Sequence, residues 1–220
     1  MLRAFTARGI PSLGLKPIES GIVVNPESTV PPAGSDASAL ALAGSLRTEL
    51  QHPLYALRDP VSPHLAARTS GVQLDVGRVA AWVQAAEVSV APRISPHRAL
   101  CSVVETAGGV FSPLDTGLAN FELARRLEPA VWILVAADAL GVLHEVRATL
   151  TAMRACGREP DHLVLSAARE PDASTGSNAD ELFRLGVATP SAALARNDDS
   201  AVNALVDRLL AAETPGAPAR

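Results

Sequence analysis

The sequence contains one lysine, Lys16, in the segment GLKPIESG, and every other basic residue is arginine. A compact ammonium acts as a point charge that suits a phosphate or carbamate oxygen, and the planar guanidinium is not its equivalent. A lysine retained at the end of an apolar run, in a chain otherwise so committed to arginine, is a candidate catalytic residue. Ser20 and Gly21 follow it and open a turn where the backbone can approach a ligand. Glu105 is the second candidate. It closes the apolar run CSVV, which presents a carboxylate where nucleotide sites often hold Mg2+. Gly108 and Gly109 come next, and main-chain N–H groups without side chains around them can crowd an anion. The bland counterparts are a surface lysine and a strand followed by a tight turn.

Other residues carry less. Asp36 begins a helical pattern and reads on its own as a cap or first-turn acid. His64 and His144 each sit at or near a helix start, where capping or packing is their ordinary role. Gly141 precedes a helical pattern, so its N–H and those of Val142 and Leu143 are placed to receive a carboxylate, or merely begin a helix. Cys101 and Cys156 have no CxxC spacing and read as buried thiols in a reducing compartment.

These residues need strands and helices to position them. Short apolar runs at Ser12–Leu15, Leu100–Val104, Val131–Ala136 and His162–Leu165, with a weaker one at Gly186–Ala188, predict strands buried on both faces. Alanine-rich amphipathic patterns predict helices over Ser35–Ser45, Pro63–Thr69, Val76–Ala85, Asp115–Leu127, Leu143–Ala155 and Ala201–Ala212. Strands alternating with helices give an α/β fold with a parallel sheet, in which ligands gather outside the carboxyl ends of the strands. Residues 25–34 and 169–180 predict surface loops. The expectation is a single domain over 1–212 with a flexible tail over 213–220.

With 48% hydrophobic residues, 19% charged residues and a net charge of −4, the chain is not a disordered segment and has no basic excess for nucleic acid. The apolar run at 130–137 falls far short of the roughly 20 residues that cross a bilayer, and no signal-peptide pattern precedes Lys16. These features predict a cytoplasmic protein with no nucleic-acid or membrane partner.

Taken in order, KPIESG, GSDASAL, DPVSPHLAA, VVETAGGVFSPL and LGVLHEVRATLTAMRACG resemble the dethiobiotin synthetases, ATP-dependent enzymes of biotin biosynthesis. The resemblance implies a P-loop NTPase-like parallel sheet flanked by helices. It also implies a homodimeric cyclo-ligase that uses CO2 and ATP, with Mg2+, to close a ureido ring on 7,8-diaminononanoate. Lys16 is then the lysine that contacts the carbamate and the transferring phosphate, and Ser20 a hydrogen-bonding contact to the substrate. Asp36 and Glu105 correspond to the Mg2+ ligands, and Glu105, Thr106, Ala107 and Gly108 line the nucleotide. Gly141, Val142 and Leu143 correspond to the helix start that receives the distal carboxylate of the substrate across a dimer interface. Ser166 stands where the family offers an asparagine to the adenine edge, and Pro190 and Ser191 are candidates for the base pocket.

One departure matters. The only lysine follows leucine, so G-x-x-x-x-G-K-[ST] does not occur within these 220 residues. The segment from Leu2 to Arg8 resembles the end of the helix that follows a P-loop, with Gly9 as its C-cap. The first strand, the loop and the early helix, about 20–25 residues for such a unit, are therefore expected to be absent from this sequence, with a start further upstream as the explanation. The competing reading is a relative that keeps the fold and the substrate pocket but has lost ATP.

Overall fold

A computed structural model of the protein describes residues 1–25, 28, 30–196 and 199–212; the predicted tail at 213–220 lies outside them. The chain divides into two compact units, Leu2–Glu128 and Pro129–Arg220, the latter grouped with Met1.

The first unit runs α1 (Leu2–Ala7), β1 (Ser12–Leu15), β2 (Ile18–Ser20), α2 (Asp36–Ala43), β3 (Tyr55–Leu57), α3 (Pro63–Thr69), α4 (Val76–Val90), β4 (Cys101–Val104), β5 (Pro113–Asp115), β6 (Leu118–Ala119) and α5 (Asn120–Leu127). The predicted strand at Ser12–Leu15 is buried at every position. It pairs in parallel with β4, in the register Ser12↔Cys101 to Leu15↔Val104. Past Lys16 and Pro17, β2 pairs in parallel with β3, a second ladder that the short, mixed sequences of these strands do not announce.

Gly14 decides how closely the helices lie on β1. A Cβ there would stand 2.5 Å from Leu2 Cδ1 and 2.7 Å from the Leu40 carbonyl oxygen, so α1 and α2 reach the strand only because residue 14 lacks a side chain. On α4, Val79, Trp82, Val83, Ala86 and Val90 form the buried stripe. Trp82, Val83, Ala86 and Val90 pack on Leu13 and Leu15, and Val79 joins the cluster around Ile18 and Leu57. Asp75 caps this helix by accepting from the Gly77 and Arg78 N–H groups.

The helix predicted from Asp115 begins instead at Asn120. Residues 113–119 form a short antiparallel hairpin, because Gly117 takes a positive φ of 74° that a helix interior does not accept. The α1 helix ends as expected, with Gly9 at φ 67°.

The second unit runs β7 (Ile133–Asp138), α6 (Val142–Ala155), β8 (His162–Ala167), α7 (Asn178–Arg184), β9 (Ala192–Leu194) and α8 (Asp199–Ala212). Its three strands are parallel in the order β7-β8-β9. Val142, Val146 and Leu150 of α6 and Leu182 of α7 pack on Leu163 and Leu165.

The predicted strand at Gly186–Ala188 is not one. Gly186 adopts φ 62°, and the Gly186 and Val187 N–H groups bond back to Phe183 and Leu182, closing the end of α7; the strand forms later, at Ala192–Leu194. The polar stretch read as a loop to Asp180 becomes helix at Asn178. Buried Asp138 anchors it by accepting from Asn178 Nδ2 at 2.7 Å and from the Gly176 N–H at 2.8 Å. Cys101 is half-buried and Cys156 exposed, so neither is the buried thiol expected: Cys156 ends α6 at its surface. No helix among the described residues is long and apolar enough to cross a membrane.

Candidate active site

The β1–β4 register builds the centre of the site. Leu15 lies opposite Val104, and the Glu105 N–H carries the ladder one step further by donating to the Leu15 carbonyl at 2.9 Å. Lys16 and Glu105 therefore leave the sheet side by side at its carboxyl end. Lys16 Nζ donates to Glu105 Oε1 at 2.6 Å and to the Thr106 carbonyl at 3.2 Å, and it lies 2.9 Å from Asp36 Oδ2.

The ammonium is buried, whereas the Asp36 and Glu105 side chains are 58% and 50% exposed. The cluster is thus one-sided, with a cation held from behind and two carboxylates facing solvent. Burial by itself pulls the lysine pKa down, but the bonds and charges of Glu105 and Asp36 outweigh it and hold Lys16 above its ordinary value. The amine is a full cation at neutral pH, able to neutralise charge on a substrate oxygen but not to act as a nucleophile.

Asp36 comes from a different element, the start of α2. Ser35 is the N-cap, its Oγ accepting from the Ser38 N–H at 3.1 Å and donating to the Pro32 carbonyl at 2.7 Å. The first two N–H groups of α2 have another partner: Glu19 accepts from Asp36 at 2.7 Å through Oε1 and from Ala37 at 3.0 Å through Oε2. No anion is needed at this helix end, because its backbone donors are already bonded.

Two carboxylates converging on one cation are the donor set that a hard divalent ion takes, with water and phosphate oxygens completing its shell. Lys16 Nζ occupies the position of a cation between them, which shows that the two side chains can reach a common positive centre. Among the described residues no group of three or more His, Cys, Asp and Glu side chains gathers into a metal cage.

The loop after Glu105 is held from below. Asn120, buried at the start of α5, donates through Nδ2 to the Ala107 carbonyl at 2.7 Å and to the Gly109 carbonyl at 3.0 Å. Gly108 has φ 82°, and a Cβ on it would lie 2.8 Å from Ser112 Oγ, so only glycine fits. The Gly108 and Gly109 amides sit in an exposed loop of fixed shape. Ser20 ends β2, and its Oγ is buried with no hydrogen-bond partner among the described residues.

Structure thus brings Lys16, Asp36, Glu105 and Thr106 together. In the second unit, Gly141 caps α6 at φ 102°. The Val142 N–H donates to the Ala139 carbonyl at 3.1 Å, leaving the Gly141 and Leu143 N–H groups as the donors that meet no acceptor among the described residues. Ser166 lies near the carboxyl end of β8, opposite Leu194. Ser191 precedes β9 at the amino end of that sheet, its N–H on the Leu163 carbonyl and its Oγ 2.9 Å from His162 Nδ1. Ser166 and Ser191, with Pro190 beside it, are therefore at opposite ends of the β8–β9 ladder.

Residues 15–203 match the protein family described as an AAA domain. The chain is 32% identical over 221 residues to the ATP-dependent dethiobiotin synthetase BioD of Caulobacter sp. (strain K31), an alignment that covers 99% of this chain and 89% of the relative. This chain belongs to the dethiobiotin synthetase family. It is also 32% identical over 203 residues to the dethiobiotin synthetase of Anaeromyxobacter dehalogenans (strain 2CP-1 / ATCC BAA-258), covering 91% of this chain and 83% of the relative. Membership of the dethiobiotin synthetases brings with it a P-loop NTPase-type α/β fold, in agreement with the parallel ladders seen in both units. The match to the domain begins at Leu15, one residue before the lysine, and includes Lys16, Asp36, Glu105 and Thr106.

Sequence reasoning missed Glu19 and Asn120. Glu19 lies within KPIESG, and its signal was a charge between residues whose neighbours Pro17 and Ile18 are buried. Asn120 gave none beyond its place at a helix start.

Proposed function

We propose that the protein catalyses the ATP-dependent carboxylation and ring closure of 7,8-diaminononanoate with CO2, giving dethiobiotin, ADP and phosphate. The observation that carries this reading is the buried Lys16 ammonium between Glu105 and Asp36, in a chain 32% identical to dethiobiotin synthetases across most of its length. One substrate amine adds to CO2 and loses a proton to become a carbamate. A carbamate oxygen attacks the γ-phosphorus, the bond to the β-phosphate oxygen breaks, and ADP leaves. The second amine attacks the carbonyl carbon of the mixed anhydride and expels phosphate, closing the ring. Negative charge on oxygen develops in each step, so a fixed cation and fixed backbone donors do most of what the protein contributes.

Lys16 is assigned to the carbamate and the phosphoryl oxygens, and Ser20 Oγ to a hydrogen bond with the substrate. Asp36 and Glu105 would hold Mg2+, which when bound supplies charge neutralisation of the phosphates. Thr106, Ala107 and Gly108 are assigned to the nucleotide. The open N–H groups of Gly141 and Leu143, at the positive end of α6, suit the distal carboxylate of the diamine. By likeness to the family this contact lies across the interface of a homodimer, and the enzyme works in the cytoplasm.

The test is direct. The protein is incubated with the diamine, bicarbonate and MgATP, and dethiobiotin, ADP and phosphate are quantified. All three are expected in equal amounts, and failure to form them overturns the reading. The competing reading, a relative that keeps the fold and the substrate pocket but has lost ATP, requires diamine binding with no ADP formed.

A further inference from the structure

Glu19 is buried, at 5% exposure, and both of its oxygens are spent on backbone: Oε1 accepts from Asp36 at 2.7 Å and Oε2 from Ala37 at 3.0 Å. A buried carboxylate is an expensive way to cap a helix, because its desolvation must be offset by the bonds it makes. The helix does not need it for capping, since Ser35 already accepts from the Ser38 N–H as a neutral N-cap. What Glu19 alone does is fix the backbone of residue 36 through a bridge from β2, the strand that follows Lys16 after one proline. The Asp36 side chain, mostly exposed and held by little besides Lys16, takes its position from that backbone.

We propose that Glu19 is a positioning residue, whose bidentate hold on the Asp36 and Ala37 N–H groups sets the Asp36 carboxylate against Lys16 and Glu105 for cation binding. This rests on the reading of Asp36 and Glu105 as the metal-holding pair. Glu19 binds no metal itself; it acts through Asp36. A glutamine in its place offers one acceptor instead of two, turns an NH2 against the remaining helix N–H, and removes the negative charge from the positive end of α2.

The experiment uses Mn2+ alone as the probe, titrated into the chain and followed by the electron paramagnetic resonance of the free ion, with thermal unfolding measured in parallel. Supports of this kind behind a metal ligand typically change affinity by about 10–100-fold, so Glu19→Gln is expected to weaken Mn2+ binding by about tenfold. Asp36→Asn is expected to weaken it at least as much. Ser35→Ala, which loosens the same helix end without touching the Asp36 or Ala37 N–H, is expected to lower the melting temperature and leave Mn2+ affinity within about twofold, well inside that range.

Unchanged affinity in Glu19→Gln alongside a loss in Asp36→Asn overturns the role of Glu19. An equal loss in Ser35→Ala overturns it as well, by showing only general support of the helix. Absence of saturable Mn2+ binding in the unaltered chain, or no effect of Asp36→Asn, overturns instead the metal reading beneath it. If the glutamine variant does not fold, Glu19→Asp keeps the charge but is one methylene too short to bridge both N–H groups. It carries the same expectation, and full Mn2+ affinity in it overturns the proposal.

Discussion

Replacing Lys16 by methionine keeps the length and burial of the side chain and removes its charge. The ammonium gives up three short contacts, to Glu105, Thr106 and Asp36. Its two carboxylate partners are half-exposed, so they return to water rather than being stranded in the interior. Each ion contact at this separation is worth about 1–2 kcal/mol in a near-aqueous dielectric, and the cost of burying the ammonium offsets much of that. The net change in stability is therefore expected to be on the order of 1 kcal/mol, or about 2–4 °C in melting temperature for a chain of this size. Catalysis responds on a larger scale, since a lost donor to a developing oxyanion costs about 3–4 kcal/mol, or 10²–10³ in rate. Dethiobiotin formation, measured by mass spectrometry beside thermal unfolding, is expected to fall by that factor while the fold persists. Lys16→Arg is expected to fall likewise, because three oxygens within 3.2 Å of Nζ leave no room for a planar fork. Turnover within about tenfold of the unaltered enzyme, well short of the loss of one such donor, refutes the assigned role.

Glu105→Gln is expected to weaken Mg2+-dependent nucleotide binding more than diamine binding, since an amide is a poorer ligand for a hard cation; separate calorimetric titrations check this, and equal losses contradict it. The raised pKa of Lys16 means that the folded state holds its proton more tightly than the unfolded chain. The stability difference between the unaltered chain and Lys16→Met is therefore expected to be level from neutral pH up to the ordinary lysine value of 10.5 and to shrink as pH rises beyond it through the folded-state value; denaturant unfolding across that range reads it. Gly108→Ala meets both the positive φ and Ser112 Oγ, so it is expected to cost about 1–3 kcal/mol and to weaken ATP binding, whereas Gly117→Ala, strained but open around its Cβ, should leave nucleotide affinity unchanged.

The strands that build the cluster were legible because they read as continuous apolar runs, although only β1 is buried at every position and β4 is half-buried throughout. Ser12–Leu15 matches its observed range, and the run ending at Val104 differs by one residue. Lys16 and Glu105 were found by the same logic, as the first charges beyond those runs. The pairing of β1 with β4, which places them at 2.6 Å, is a long-range fact that no local pattern contains. Short strands such as β2, β3 and β9 were missed, since three residues are too few to show a period. Gly186–Ala188 was misread because an apolar residue after a glycine serves a helix end as readily as a strand. Asp36 on its own reads as a helix-start acid, and only the family resemblance joined it to Glu105; its meeting with Lys16 depends on Gly14, which lets α2 approach β1, and on Glu19, which holds the turn.

The most direct measurement is the stoichiometry of dethiobiotin, ADP and phosphate formed by the protein, set against that formed by its Lys16→Met variant. Equal amounts of the three products from the first, and a loss of about 10²–10³ in their rate of formation from the second, are expected. Failure of the protein to form dethiobiotin while binding both ATP and the diamine, or equal turnover by the protein and its Lys16→Met variant, contradicts a phosphoryl-transfer site built on Lys16, Asp36 and Glu105.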